Sequence, residues 1–448
     1  MLSSLFCFLF VIVLAGSQNF YGDFYEGDQV LRVWPDTKYK VQDILHIKKE
    51  PGLEMLDSWM PTFRPNHPAD FYAKKKELSI MKKYLAEKSI AYSVLIDNVT
   101  EALRRQRPST PKHPHNNREY DYEKFHPLDE IHAELQNIQT QYPKFATVFN
   151  LGKSFEERDM KAIKISGNSK KHKKIFFMEC GTHAREWVSP ATCMWLIKEI
   201  LKEVRENAGQ NKKMYKMCNR IDWVIVPVLN VDGYVHSWTK EGRFWRKNRK
   251  PNNMSKCNGT DLNRNWSYKW GEPGSSVNPC SSSYRGTHPF SEIETRNVAR
   301  YLYKNRCHLL GYIGFHSYSQ FWMTPWGYKS EKPEHYKEMK RVADIAVKAI
   351  KTSKNGAHFE KPAPSSQIIY QSSGSAKDWT YGVLNIQYSY GVELRPHFNG
   401  SYAFLIPPDQ IKPCGEEITA AIKALSNTVH LNKGRRLVKS KRDRSHEH

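Results

Sequence analysis

The rhythm of apolar positions changes near residue 120. Before it, elements are short and mixed. Residues 29–34 alternate like a strand, and 38–49 place Val41, Ile44, Leu45 and Ile47 at helical spacing. Residues 71–73 read as a short strand, 78–85 as a helix and 91–96 as a strand. Such mixing predicts a small α+β module. After Tyr120, longer helical stretches separate apolar runs. Residues 128–138, 191–204, 336–350 and 416–425 read as helices, the second capped by Ser189 with Pro190 at its first position. Apolar runs at 174–180, 223–230, 309–315 and 387–392 read as buried strands. The second part is therefore expected to be α/β, with a mixed, largely parallel central sheet covered by helices on both faces.

At 448 residues the chain is long enough for two domains. It opens on an apolar run inside residues 5–14, followed by Ala15-Gly16-Ser17, which reads as a secretory signal peptide over 1–17. That run is too short to span a bilayer, and no later segment is long enough, so a secreted, extracellular protein without a transmembrane segment is expected. Cys7 leaves with the signal. Of the seven cysteines left, short separations pair Cys180 with Cys193 and Cys257 with Cys280, and give Cys218, Cys307 and Cys414 no partner. The net charge of +23 favours acidic substrates, heparin-like polyanions or anionic surfaces, and export argues against nucleic acid.

Residues 105–118 are basic, proline-rich and almost without apolar side chains, so they read as an exposed, cleavable linker. Pro108 hinders a cut after Arg107, leaving Arg105, Lys112 or Arg118 for a trypsin-like protease. Residues 433–448 hold seven Lys or Arg and read as a disordered tail.

The chemistry gathers where the apolar runs end. The 174–180 run leads into His183-Ala-Arg-Glu186, the 309–315 run ends at His316, and the 387–392 run ends at Glu393. Two imidazoles and a carboxylate make a three-ligand zinc site with an open position, and the second carboxylate is a candidate general base. The competing role for Glu393 is an ion pair with Arg395, two residues on along the same strand face. Phe244-Trp245-Arg246-Lys247 and Asp261-Leu262-Asn263-Arg264-Asn265-Trp266 set arginines among aromatics, as needed to clamp a carboxylate or stabilise an oxyanion.

These motifs in this order resemble the zinc metallocarboxypeptidases of the pancreatic A/B type, written as a preproenzyme. The resemblance covers nearly the whole chain after the signal. It implies an activation propeptide over 18–104, ferredoxin-like in fold, and a catalytic domain over 119–432 that holds one Zn2+ and acts on peptide and protein C-termini as a monomer. It makes His183, Glu186 and His316 the metal ligands, Glu393 the general base and Arg246 the residue that polarises the scissile carbonyl. It assigns Asn263, Arg264 and Tyr370 to the substrate's terminal carboxylate, and Arg185, Ser317, Tyr318 and Phe404 to neighbouring subsites.

In such enzymes one position at the pocket floor reads the terminal side chain, and counting from Tyr370 it is Lys377. An ammonium there predicts preference for C-terminal Glu or Asp. If Lys377 instead turns to its neighbour Asp378, an apolar, A-type preference follows. Gly391 leaves room for Lys377. The loop between Arg395 and Phe404 is longer than is usual for the resemblance, which weakens the expectation for Phe404. A different class, a catalytically inactive matrix-binding relative, predicts gaps among the ligands or the base, and none is missing. Glycans are expected at Asn98 and Asn399, whereas one at Asn265 would obstruct the carboxylate site.

Overall fold

The computed structural model describes residues 21, 24–62, 64–107, 119–168, 173–206, 218–253 and 255–429. The signal 1–17, the cleavage candidates Lys112 and Arg118 and the tail 433–448 lie outside them.

The first domain is a four-stranded antiparallel sheet of β1 (Gln29–Trp34), β2 (Asp57–Met60), β3 (Ala69–Ala73) and β4 (Ala91–Ile96), in the order β2-β3-β1-β4. Its two faces do different work, and the period of two along β1 explains how. Leu31 and Val33 join Ile44, Ile47, Met81 and Leu85 in the domain's own core. Val30 sits in another cluster with Trp59, Tyr72, Val99 and Leu103, and that cluster also contains Tyr318, Phe404 and Leu405 of the second domain. Its central strands β1 and β3 are thus buried on both sides, once by the domain's own helices and once by its neighbour, while edge strand β4 is mostly exposed.

The second domain carries an eight-stranded mixed sheet. Its strands are β5 (Ala146–Lys153), β6 (Asp159–Ile165), β7 (Lys174–Glu179), β8 (Ile221–Val226), β9 (Leu309–Ser319), β10 (Phe321–Thr324), β11 (Ala363–Pro364) and β12 (Tyr388–His397). The order is β11-β10-β12-β9-β7-β8-β6-β5. The middle four, β12-β9-β7-β8, are parallel, while β5, β6 and β10 join antiparallel at the margins. The central strands are buried almost throughout, because helices Val188–Glu206, Tyr336–Lys351 and Ile411–Thr428 flank the sheet and share its core.

The local rules fail in instructive places. The helix expected from residue 191 begins at Val188, so Ser189 lies inside its first turn and does not cap it. The Ser189 hydroxyl donates to the Phe315 carbonyl at 2.7 Å and accepts the Gly181 N–H at 3.2 Å, tying the helix start to β9 and to the turn after β7. The strands expected to end at His316 and Glu393 continue to Ser319 and His397, because the ladder pairs Leu394 with Ser317 and His397 with Ser319. Both short-range disulfides form, Cys180–Cys193 and Cys257–Cys280. Cys218 and Cys414 are buried thiols, and Cys307 is exposed.

The first domain ends on helix Val99–Gln106, which runs over Arg105 and so enters the stretch read as linker. Asn98 caps it, its side-chain oxygen accepting the Glu101 N–H at 2.9 Å. Gln106 is buried and donates to the carbonyls of Phe404 and Ile406 at 2.9 and 3.0 Å, while its own oxygen accepts from Arg243 at 2.8 Å. A protease must pull its target bond into an extended strand, and here that would break these bonds. Limited trypsin treatment is therefore expected to spare the bond after Arg105. N-terminal sequencing of the early product checks this, and a new terminus at Gln106 would contradict it.

Candidate active site

The turn after β7 delivers the first two ligands. Gly181 adopts a φ of +65° there, and a Cβ at that position would come within 3.1 Å of the Val228 Cα, so the turn needs glycine. His183 and Glu186 follow, with His183 Nδ1 2.8 Å from Glu186 Oε1. His316 arrives from β9, its Nδ1 3.2 Å from His183 Nδ1 and 3.3 Å from Glu186 Oε2. All three side chains are buried, with ligand atoms within 4.8 Å of one another. Two imidazole nitrogens facing each other beside a carboxylate is an arrangement that a shared cation accounts for, and the donor set suits zinc. His183 Nε2 lies 3.1 Å from Asp261 Oδ1, which can hold the ring's proton on Nε2 and leave Nδ1 free to ligate.

Asp261 carries no role in the sequence reading, yet it organises this corner. It faces His183, accepts from Arg246 Nη2 at 3.0 Å and from the Asn263 N–H at 2.9 Å, and lies 3.9 Å from Arg264. Burial opposes its charge, but Arg246, Arg264 and His183 together hold its carboxyl well below the usual range. Its place in Asp-Leu-Asn-Arg, just before the two candidate carboxylate binders, was the available signal.

Glu393 reaches the site through sheet register, since the parallel β9–β12 ladder sets it beside His316. One of its oxygens is shut off from solvent with no hydrogen-bond partner. Burial and the neighbouring Glu186 carboxylate push Glu393 up to about 8. The alternative ion pair does not form. Arg395 binds Glu417 of helix Ile411–Thr428, with Nε 3.0 Å from Oε2, and Gln410.

One cavity is lined by His183, Glu186, His316, Glu393, Arg246, Asn263, Arg264 and Tyr370, and by Ser317, Tyr318, Lys377 and Phe404. Arg264 donates to the carbonyls of Gly274 and Asn263, both at 2.9 Å, and its guanidinium lies 5.8 Å from the Tyr370 ring. Asn263 Oδ1 accepts the Ala376 N–H at 3.0 Å, joining that corner to the helix Ala376–Gly382 that carries Lys377. The lengthened loop still returns Phe404 to the cavity, where its ring meets Tyr318 and the Arg185 guanidinium. Arg185 itself lies outside this cavity, in an adjoining cleft. Asn265 is fully buried and its amide nitrogen donates to Arg285, His288 and Ser291, so it offers nothing to a glycan.

Lys377 lies at the cavity wall but is not alone. Its Nζ is 3.1 Å from Asp378 Oδ1 and 3.4 Å from Ser375 Oγ. Asp378 also accepts the backbone N–H groups of Gly327 and Tyr328. Burial lowers the lysine's affinity for its proton, and Asp378 opposes that. A Cβ at Gly391 would sit 3.4 Å from Lys377 Cδ, so that glycine lets the stem pass.

The first domain closes the mouth. Trp59, Met60 and Pro61 line the same cavity. Asp57 engages Arg185 at 2.9 Å, and Asp70, already paired with Arg32 at 2.7 Å, accepts the Tyr318 hydroxyl at 2.5 Å.

Residues 31–106 match the carboxypeptidase activation peptide family, and residues 131–421 match the zinc carboxypeptidase family. Carboxypeptidase A6 of Homo sapiens is 34% identical over 436 residues, covering 95% of each chain. Carboxypeptidase A2 of Mus musculus is 35% identical over 405 residues, 90% of this chain and 94% of that one. Carboxypeptidase O of Homo sapiens is 39% identical over 311 residues, 69% of this chain and 80% of that one. The crystal structure of thrombin activatable fibrinolysis inhibitor superposes with a TM-score of 0.80 at 32% identity, covering 90% of this chain and 98% of that one. With both parts matched, and with a His-Glu-His cluster suited to the metal, this chain belongs to the zinc carboxypeptidase family and is its zymogen form.

Proposed function

We propose that the activated enzyme removes C-terminal residues, with preference for Glu and Asp, and that the residues around the zinc triad divide the work as their positions allow. His183, Glu186 and His316 would hold the zinc, which would supply a Lewis acid for the scissile carbonyl and for the attacking water. Glu393, with an unpartnered oxygen beside that triad, takes the proton of the attacking water and hands it to the departing amine. Arg246, held in place by Asp261, faces the developing oxyanion. Asn263, Arg264 and Tyr370 receive the substrate's free carboxylate, which fixes the last peptide bond as the one cut. Arg185, Ser317, Tyr318 and Phe404 contact the residues upstream of that bond.

The acidic preference rests on Lys377. An ammonium has three donors, and the two partners observed leave one for a substrate carboxylate. The ion pair with Asp378 favours a second reading. It makes the floor close to neutral, and Met323, Ile369 and Tyr390 supply apolar walls for an A-type preference. A kinetic panel on the trypsin-activated protein, with peptides ending in Glu, Phe and Arg, separates the two. Glu should lead in kcat/KM, and a clear lead for Phe would reject the acidic assignment.

A chelator should abolish release of the terminal residue, and added Zn2+ should restore it. Amino-acid release and bound zinc, followed together, check this, and full activity in zinc-free protein would contradict it. Among the described residues no helix is long and apolar enough to cross a membrane. We propose an exported enzyme whose basic tail, 433–448, holds it to anionic polymers through contacts that salt screens.

A further inference from the structure

A second cluster of metal-ligating side chains lies outside the cavity. His358 and Glu360 stand two residues apart on the segment between helix Tyr336–Lys351 and β11, and His397 is the last residue of β12. Each offers a ligand atom within 4.8 Å of the others, and among the described residues only the catalytic triad and this group do so. Glu360 Oε1 lies 3.5 Å from both His358 Nε2 and His397 Nε2, and the two rings are 5.6 Å apart.

Those spacings are long for hydrogen bonds but suit a shared cation. Ligand atoms about 2.0–2.2 Å from a tetrahedral zinc stand about 3.4 Å from one another. His397 Nε2 is shut off from solvent and makes no hydrogen bond, a condition that a buried polar atom rarely keeps without a ligand.

We propose that His358, Glu360 and His397 form a second site for Zn2+, or for a divalent transition metal of the same ligand preference, with water completing the shell. Two imidazoles and one carboxylate match that class and do not match Ca2+ or Mg2+, which take oxygen ligands. Coordination through His397 Nε2 leaves the ring's proton on Nδ1, so the bond that Nδ1 now accepts from the Asn399 N–H at 3.2 Å is given up. The turn stays closed by the Gly400 N–H on the His397 carbonyl at 2.7 Å. A metal here pins the end of β12 to the segment before β11. The same loop touches the activation domain, where Arg32 donates to the Gly400 carbonyl at 3.1 Å and the rings of His67 and Phe398 stack.

The test uses the full-length zymogen with its catalytic zinc in place. After equilibration with buffered micromolar Zn2+, bound metal is counted by plasma mass spectrometry. Two zinc ions per chain are expected in the wild type and one in His358→Ala and in Glu360→Gln. His316→Ala should keep the second ion while losing the catalytic one, so the two sites are told apart without reference to activity. His358 is exposed, so its loss should leave the fold intact, and an unchanged far-UV circular dichroism spectrum verifies that. A single zinc in the wild type, or a second zinc that survives both His358→Ala and Glu360→Gln, overturns the assignment.

Discussion

In the activated enzyme, Glu393→Gln is expected to lower kcat by roughly 10²- to 10⁴-fold, with KM and zinc content little changed. The substitution keeps size and shape but removes the group that accepts the water's proton. The structure gives that carboxylate no other employment. Its one obvious partner, Arg395, is taken by Glu417, and one of its oxygens has no hydrogen bond. The wild type should also lose rate on the acid side, because a base works only when ionised and burial beside Glu186 raises Glu393 to about 8. The charge of a zinc ion draws that value down, so the acid limb should fall below 8, and the variant's residual rate should lack it. Steady-state kinetics across pH, with metal counted in the same samples, check both statements. A variant that retains wild-type kcat would remove Glu393 from the mechanism.

The second large effect concerns which residue leaves. Lys377→Asp replaces the cavity's ammonium with a carboxylate beside Asp378, and the two acidic groups then face any incoming Glu. Breaking a buried charge pair and adding like-charge repulsion are worth several kcal/mol, so kcat/KM for a Glu-terminated peptide should fall roughly 10²-fold or more. Turnover of Arg- and Lys-terminated peptides should rise. Lys377→Met provides a milder control, expected to favour apolar residues without creating basic preference. The same three-peptide panel reads all of this. If neither variant shifts the order of substrates, Lys377 does not read the terminal side chain.

The long-range partners account for what the sequence left hidden. Apolar runs announced β7, β9 and β12, because strands buried on both faces have few polar positions to disguise them. The marginal pair β5 and β6 carries half-exposed positions, and β2 and β10 are only four residues each, so their patterns are too weak to read. Helix Ala376–Gly382 is a single short segment with the same problem. At the site, spacing along the chain placed His183 by Glu186, and motif order gathered the other side chains. The register that sets Glu393 beside His316, the capture of Arg395 by Glu417 22 residues on, and the junction at Asp261 are long-range facts. No local periodicity encodes them. Lys377 shows the limit most clearly, since its approach to the cavity and its turn toward Asp378 were posed as alternatives and the structure contains both.

The cluster that Val30, Trp59, Tyr72 and Leu103 share with Tyr318, Phe404 and Leu405 has a kinetic consequence. Cutting the linker severs a covalent tether but leaves that apolar contact, the Asp57–Arg185 pair and the Asp70–Tyr318 bond in place. Scission and onset of activity are then separate events. The severed segment is therefore expected to stay over the cavity mouth until it dissociates, so a lag should separate cleavage from turnover, and dilution should shorten it.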